Sequence, residues 1–271
     1  MSTTTAPRTR RGLVAGLGGP VGVLVLILAL WYLVSYVVLD PSEKFLLPPP
    51  HDILVKGFGD PDVRADMLAA TWVTAKAALI GLAIAFVLGS LTAIVMAQAR
   101  WVQTALYPYV ILMQTIPILA IVPVIGFWFG YDLGARVIVC VIISIFPLVI
   151  NPLQGLLGVE RGLEDLFSLV GASSWVRLVK LQIPHALPDF FVGLQSAAGL
   201  AVTGSVVGDF FFGRGEIGLG LLLSRYSSRL QSAQMLATVI IACLLGLVAF
   251  WTFGALGRRV VGRWSPAWGA S

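Results

Sequence analysis

Six long runs of apolar residues restrict what this sequence can fold into. Each is about 20 residues long or more, the length a helix needs to cross a hydrocarbon core of roughly 30 Å. None alternates like the strands of a membrane barrel, and backbone hydrogen bonding in lipid then leaves helices. The runs are Val21–Leu39, Trp72–Ala97, Leu106–Phe129, Val137–Leu157, Phe190–Phe212 and Met235–Leu256. The sequence therefore predicts an all-α, polytopic membrane protein with about six transmembrane helices.

The charged residues predict how the chain is oriented. Only 11% of residues are charged, against about 25% in a soluble domain. Arginines cluster at residues 8–11 and 258–263, whereas the loop after the first run is mostly acidic. Because Lys and Arg accumulate on the cytoplasmic side, both termini are predicted to lie in the cytoplasm. The basic charge thus reflects topology in a plasma (inner) membrane, and nucleic-acid binding has no support.

The predicted organisation has three parts. Residues 1–20 form a cytoplasmic lead, residues 21–260 a transmembrane domain, and residues 261–271 a cytoplasmic tail. The first run exceeds the 7–15 residues of a signal-peptide core, so we expect it to stay as a helix. Three prolines at 48–50 predict an extended connector after it, and residues 52–70 could form a short helix along the membrane surface.

Prolines and small residues predict bends and close packing. Gln114, Pro117 and Pro123 in the third run indicate either a bent helix lining a pathway or a kink that only shapes packing. Pro147 and Pro152 predict a break near the end of the fourth run. In the fifth run small or acidic residues recur every fourth position, which favours tight packing in one bundle over a pathway or subunit face. They are Gly193, Ala197, Ala201, Ser205 and Asp209.

Two ionisable residues, Lys76 and Asp209, lie inside the apolar runs. Such residues cost about 2.5–3.5 kcal/mol on insertion scales and often mark functional sites. The predicted topology places both near the outer face, so one hypothesis is an ion pair at an outer gate. The alternative is that both reach the membrane interface without pairing.

Motifs for enzyme chemistry are weak. The GxGxxG match at 213–218 lacks the strand and helix of a dinucleotide fold, no P-loop sequence occurs, and the chain has two histidines. We expect no catalytic residues, metal site or cofactor in this chain.

An amphipathic segment at residues 160–188 separates the fourth and fifth runs. Apolar residues at i, i+3, i+4 and i+7 predict a short helix, which Gly171 ends in a left-handed conformation. Ser173 or Ser174 caps a second short helix, and Pro184 is expected to end it. The predicted product is a projecting helix–turn–helix suited to a partner's groove. The apolar positions are Leu163, Leu166, Phe167 and Val170.

This segment resembles the cytoplasmic loop signature of ABC importer permeases: E-A-A, three residues, glycine, nine residues, then I-x-L-P. The E-A-A position is occupied by Asp165-Leu166-Phe167. The common G-A-S is matched by Gly171-Ala172-Ser173. The closing element is matched by Leu181–Pro184, which ends in Ile183 and Pro184. Shorter stretches resemble the nitrate/sulfonate/taurine-type branch, which includes thiamine-precursor and riboflavin permeases. They are Leu46–Pro50, Thr115–Pro117, Phe129-Gly130, Phe146-Pro147 and Gly218–Gly220.

The resemblance implies a type I importer permease (MetI-like) fold and a set of partners. A second permease copy, most simply in a homodimer, an ATPase subunit on the cytoplasmic loop and an extracytoplasmic binding protein are expected. ATP is bound by the ATPase, and substrate selectivity rests largely with the binding protein. The coupling segment, residues 160–188, is expected to contact the ATPase through Asp165, Leu166, Phe167, Gly171, Ala172, Ser173, Ile183 and Pro184. Gln114, Pro117, Lys76 and Asp209 are the candidate pathway or gate residues.

Two other functions remain open from the residues alone. A membrane scaffold or sensor that moves no solute would have no ATPase partner. An ion-coupled secondary carrier would need more intramembrane carboxylates or broken helix pairs at mid-depth.

Overall fold

The computed structural model describes residues 11–40, 43–212 and 215–262, which form helices and connecting turns without a β-strand. Three π-helical turns extend α1, α2 and α8, at Val34–Val38, Ile53–Gly57 and Leu178–Gln182. The all-α prediction is confirmed, while residues 1–10 of the predicted lead and 263–271 of the tail lie outside the described residues. The helices are α1 (Arg11–Leu33), α2 (Pro50–Asp52), α3 (Pro61–Gln98), α4 (Arg100–Thr115), α5 (Ile118–Phe129), α6 (Leu133–Leu157), α7 (Arg161–Leu169), α8 (Ser174–Arg177), α9 (Ile183–Phe211), α10 (Leu219–Ser228) and α11 (Ser232–Val261).

The membrane spans follow the apolar runs. Among the described residues, five helical stretches are long and apolar enough to cross a membrane, and α4 with α5 forms a sixth candidate bent by 97°. The break falls at Pro117, where Ile116 is extended as residues before proline prefer. The prediction of about six spans, with a bent third one, is confirmed. The five stretches are Gly19–Val38, Pro61–Gln98, Leu133–Leu157, Ser174–Phe211 and Ser232–Val261.

The structure differs from the sequence-based expectations in the fourth span and in residues 52–70. The helix α6 runs unbroken through Pro147 and Pro152, both of which are buried. Packing on both sides of this central helix holds it together where the prolines alone would weaken it. Residues 52–70 do not form one surface helix, because a short helical segment ends at Gly57 and α3 then begins at Pro61 and continues for 38 residues. At 1.5 Å per residue α3 is about 57 Å long, well over the hydrocarbon thickness.

The chain divides into two compact units. In the first, within Met1–Arg64 and Tyr226–Ala237, the proline-rich connector packs on α1. The indole Nε1 of Trp31 donates to the carbonyl of Pro48 at 3.1 Å, and Ser35 Oγ donates to the carbonyl of Leu47 at 3.0 Å. The connector is therefore anchored by side chains of the first span.

The second unit, within Ala65–Arg225 and Thr238–Ser271, contains the bundle of α3, α6 and α9. Its core is built from small side chains, including Ala85, Cys140 and Ala201, all fully buried. At Gly204 an added Cβ would lie 3.0 Å from the Cα of Cys140, so α9 and α6 approach closely. All five members of the fifth-run stripe are buried. The structure thus favours packing within one bundle as the role of that stripe.

Candidate functional site

The coupling segment contains the glycine turn that the sequence predicts. Gly171 has φ +66°, a conformation that disfavours an L side chain. The N–H of Gly171 donates to the carbonyl of Ser168, and the N–H of Ala172 donates to the carbonyl of Phe167, both at 3.0 Å. These paired bonds form a Schellman motif at the end of α7. The predicted left-handed end of the first short helix is confirmed.

The second short helix starts as expected but does not end at Pro184. Ser173 is the N-cap, and its hydroxyl accepts the N–H of Val176 at 3.4 Å. Helical structure then continues from Ser174 through the π-helical turn to Phe211. Pro184 lies in the first turn of α9. The wider π-helical turn before the proline provides room for its ring, so the prediction that Pro184 stops the helix is wrong.

Large apolar side chains are exposed on both sides of the glycine turn. Leu169 is 85% exposed, and Val170 and Trp175 are each 72% exposed. Further along, Leu178 and Gln182 are buried, and Gln182 accepts a hydrogen bond from Gln98 at 2.8 Å. The tip of the segment is therefore free of contacts that would bury it, while its base packs into the bundle.

The predicted coupling residues occupy both regions. Asp165, Leu166, Gly171, Ser173 and Pro184 are exposed, and Phe167, Ala172 and Ile183 are half-buried. None of the eight is fully buried, so each offers some surface to a partner.

A buried polar cluster lies within the bundle, around Asp209. Asp209 and Arg136 are 0% and 2% exposed, and Arg136 Nε lies 3.0 Å from Asp209 Oδ1. Thr74 donates its hydroxyl to Asp209 Oδ2 at 2.8 Å and accepts the N–H of Leu219 at 2.9 Å. Ser205 donates to the carbonyl of Thr74 at 2.9 Å. We call Thr74, Arg136, Ser205 and Asp209 the buried polar cluster.

The cluster ties three spans to the segment that precedes α10. Its side chains come from α3, α6 and α9, and Arg136 Nη2 also donates to the carbonyl of Glu216 at 2.7 Å. Gly218 packs so closely that an added Cβ would overlap the Asp209 carboxylate. Buried charges persist when they are paired and hydrogen-bonded, and both conditions are met here. Of the sequence motif at 213–218, residues 213 and 214 lie outside the described residues.

The hypothesis that Lys76 pairs with Asp209 is wrong. Lys76 Nζ instead lies 3.8 Å from Glu216 Oε2, with side chains 41% and 62% exposed. Arg136 takes the place that the hypothesis gave to Lys76. The sequence signal for it is an arginine directly before the fourth apolar run, on the same predicted outer side as Asp209.

The other two pathway candidates lie apart from this cluster. Gln114 and Pro117 are exposed, and Val110 is the buried residue of α4. The structure brings together Asp209 with Arg136 and Thr74, and it brings neither Gln114 nor Pro117 into their hydrogen-bond network.

Comparison with known proteins agrees with this architecture. Residues 72–262 match the family described as binding-protein-dependent transport system inner membrane component. The chain is 34% identical over 211 residues to the formylaminopyrimidine transport permease protein ThiX of Halalkalibacterium halodurans, covering 77% of this chain and 82% of that one. It is 32% identical over 269 residues to the riboflavin transport system permease protein RibX of Chloroflexus aurantiacus, covering 98% and 97%.

A solved structure shares the fold. In the inward-facing MetNI methionine ABC transporter, one chain matches with a TM-score of 0.65 and 18% identity, over 74% of this chain and 99% of that chain. The predicted MetI-like fold and the predicted branch with vitamin-type permeases are confirmed. This chain belongs to the binding-protein-dependent transport system inner membrane component family and is a permease subunit of an ABC importer.

Proposed function

We propose that this permease moves a small solute inward, of the sulfonate, nitrate or taurine type or of the pyrimidine and vitamin type. The names of ThiX and RibX support the second group. An extracytoplasmic binding protein delivers the solute, and two copies of this chain form the membrane pathway. In this proposal the partner subunit binds and hydrolyses ATP, and the permease contributes neither an ATPase site nor a cofactor. Both termini lie in the cytoplasm.

The observation that carries this proposal is the exposed apolar tip of the coupling segment. Leu169, Val170 and Trp175 flank the glycine turn at Gly171 and are exposed. A groove on the ATPase that covers them would remove apolar surface from water and stabilise the complex. The contacts of Asp165 through Ser173, with Ile183 and Pro184 at the base, define the proposed interface.

The helical continuity of the segment supplies a route for movement. Ser174–Phe211 is one helical stretch, with Trp175 near its start and Asp209 near its end. A displacement of the tip by the ATPase would therefore act on the helix that holds the buried polar cluster. Coupling in this proposal is the rearrangement of that helix between inward- and outward-facing states.

Gly171→Asp tests the proposal. An added Cβ at Gly171 meets no atom within 4 Å, and aspartate tolerates the left-handed conformation, so the fold should persist. We expect normal membrane levels, but loss of ATPase pull-down and of ATP-driven uptake in proteoliposomes.

Gly171→Asn is the matched control, because asparagine has the same shape and tolerates the same backbone conformation without the charge. It should keep a larger share of ATPase binding than Gly171→Asp. Wild-type pull-down and uptake in Gly171→Asp would contradict the proposed interface.

A further inference from the structure

A cavity of about 480 Å³ lies between α4 and the C-terminal end of α6. Gln154 lines it from α6, and so does Leu157, the last residue of that helix. Since α7 begins at Arg161, the cavity lies at the same end of the bundle as the coupling segment. Its wall on α4 is one helical face, with residues at i, i+3, i+4 and i+7. They are Arg100, Gln103, Thr104 and Tyr107.

The side chains around the cavity supply one permanent positive charge and several hydrogen-bond donors. Arg100 contributes the guanidinium, and the carboxamides of Gln103 and Gln154 and the hydroxyl of Tyr107 can donate hydrogen bonds. No carboxylate lines the cavity. Within residues 11–40, 43–212 and 215–262, Arg100 forms no ion pair. A guanidinium with neighbouring donors and no acidic residue is suited to an oxyanion.

A further polar residue of α4 lies on the same face, beyond the apolar Val110 and Ile111. Gln114 lies seven residues after Tyr107, two turns further along the same face, and is exposed in this protomer. A carboxamide in hydrocarbon without a partner would cost several kcal/mol, so this face is unsuited to lipid tails. The face of α4 around Gln114 is therefore suited to contact with water or with protein.

We propose that the cavity between α4 and α6 binds an oxyanion group, such as a sulfonate, carboxylate or phosphate, with Arg100 as its charged contact. The group belongs either to the transported solute at the cytoplasmic end of its route or to the head group of an anionic phospholipid. For the solute, this inference rests on the proposed function and deepens it. It gives the permease a charge preference of its own, in addition to that of the binding protein.

Binding measurements on the purified complex of permease and ATPase test this site. The soluble probes are butanesulfonate, butyrate and butyl phosphate, with butanamide as the uncharged reference. The lipid probe is phosphatidylglycerol, with phosphatidylcholine as its reference. Arg100→Gln removes the positive charge, and Arg100→Lys keeps the charge but lacks the planar guanidinium. Arg258→Gln is the control, because it removes another exposed arginine, in the last turn of α11.

We expect an anion to bind the wild type and to bind Arg100→Gln about tenfold more weakly, as for loss of one charged hydrogen bond. Arg100→Lys should lie between the two, and Arg258→Gln should match the wild type. Binding of the soluble anions assigns the site to the solute, and binding of phosphatidylglycerol alone assigns it to lipid. No anion binding by the wild type, or equal effects of Arg100→Gln and Arg258→Gln, would overturn the proposal.

ATP hydrolysis in the same preparations separates the two proposals. A wild-type complex that hydrolyses ATP in response to its binding protein, yet binds no anion, leaves the proposed function intact and removes this site. A complex that binds anions but shows no coupled hydrolysis would support this site and contradict the proposed function.

Discussion

Arg136 and Asp209 are the buried charged residues of the described structure. Both are almost fully buried, and their 3.0 Å contact is supplemented by Thr74 and by the carbonyl of Glu216. Desolvation of two charges offsets much of their attraction, so such a pair adds little net stability compared with apolar residues. Loss of one partner is different, because it leaves the other charge buried and uncompensated.

Asp209→Ala should therefore destabilise the permease strongly, by about 3–5 kcal/mol. The measurement is thermal unfolding of the detergent-purified protein. Glu216→Gln is the control, because it removes only the exposed contact with Lys76 and keeps the carbonyl that Arg136 uses. We expect that change to cost less than about 1 kcal/mol. Equal losses for both variants would contradict the assignment of the pair.

The space around Gly218 gives a second prediction at this scale. Gly218→Ala would place a methyl group against the Asp209 carboxylate, and forced overpacking typically costs about 1–3 kcal/mol. Gly199→Ala is the matched control, since an added Cβ there meets no atom within 4 Å and alanine favours the helix. Thermal unfolding should show a loss for the first variant and no loss for the second. The same unfolding temperature for both variants would contradict the close packing of Gly218 against the Asp209 carboxylate.

Individual residues show what local patterns can predict. Gly171 and Ser173 were predictable because a glycine turn and an N-cap depend on near neighbours. Asp209 was recognisable as an intramembrane charge, but its partner was not. Arg136 lies 73 positions away along the sequence and directly before the fourth apolar run. Pairing across that distance depends on how α6 and α9 pack, which the spacing of residues does not encode.

Among the helices, prolines have different effects according to their surroundings. Pro117 separates α4 from α5, where the residues around it are mostly exposed. Pro147 and Pro152 are buried and leave α6 continuous, and Pro184 follows a π-helical turn that accommodates it. Sequence alone predicts that a proline weakens a helix, whereas packing decides whether the helix ends. The number of spans was therefore predictable, and the continuity of each was not.

The coupling segment gives a prediction at the scale of one element. Trp175 is exposed, whereas Leu178, three residues later, is buried in the bundle. Trp175→Ala should weaken ATPase binding by about tenfold or more, as for a tryptophan at the centre of an interface, without changing thermal stability. The assay is co-purification of the two subunits over a range of ATPase concentrations.

Leu178→Ala is the contrasting variant of the same element. Truncating a buried leucine should cost about 2–5 kcal/mol of stability, so this protein should unfold at lower temperature. If Trp175→Ala also lowered the unfolding temperature while ATPase binding stayed normal, the exposed tip would serve the fold of the permease and not the interface.

At the scale of the whole molecule, the order of the spans predicts on which side of the membrane each loop lies. The stretch Ser174–Phe211 joins the coupling segment to the residues around Ile217. A single crossing between them predicts that Ser168 and Ile217 lie on opposite faces. The arginines at both ends of the sequence predict that Ser168 lies on the cytoplasmic face. This assignment is independent of the resemblance of the coupling segment to a cytoplasmic loop.

Cysteine labelling in cells tests that topology. Both positions are exposed, so Ser168→Cys and Ile217→Cys should react readily once reached, in a background where Cys140 and Cys243 are replaced by alanine. A membrane-impermeant maleimide should label Ile217→Cys once the outer envelope is permeable, and Ser168→Cys only after the inner membrane is opened. The reverse pattern would place the coupling segment outside, where no ATPase could reach it, and would remove the basis for ATP-driven coupling through Gly171.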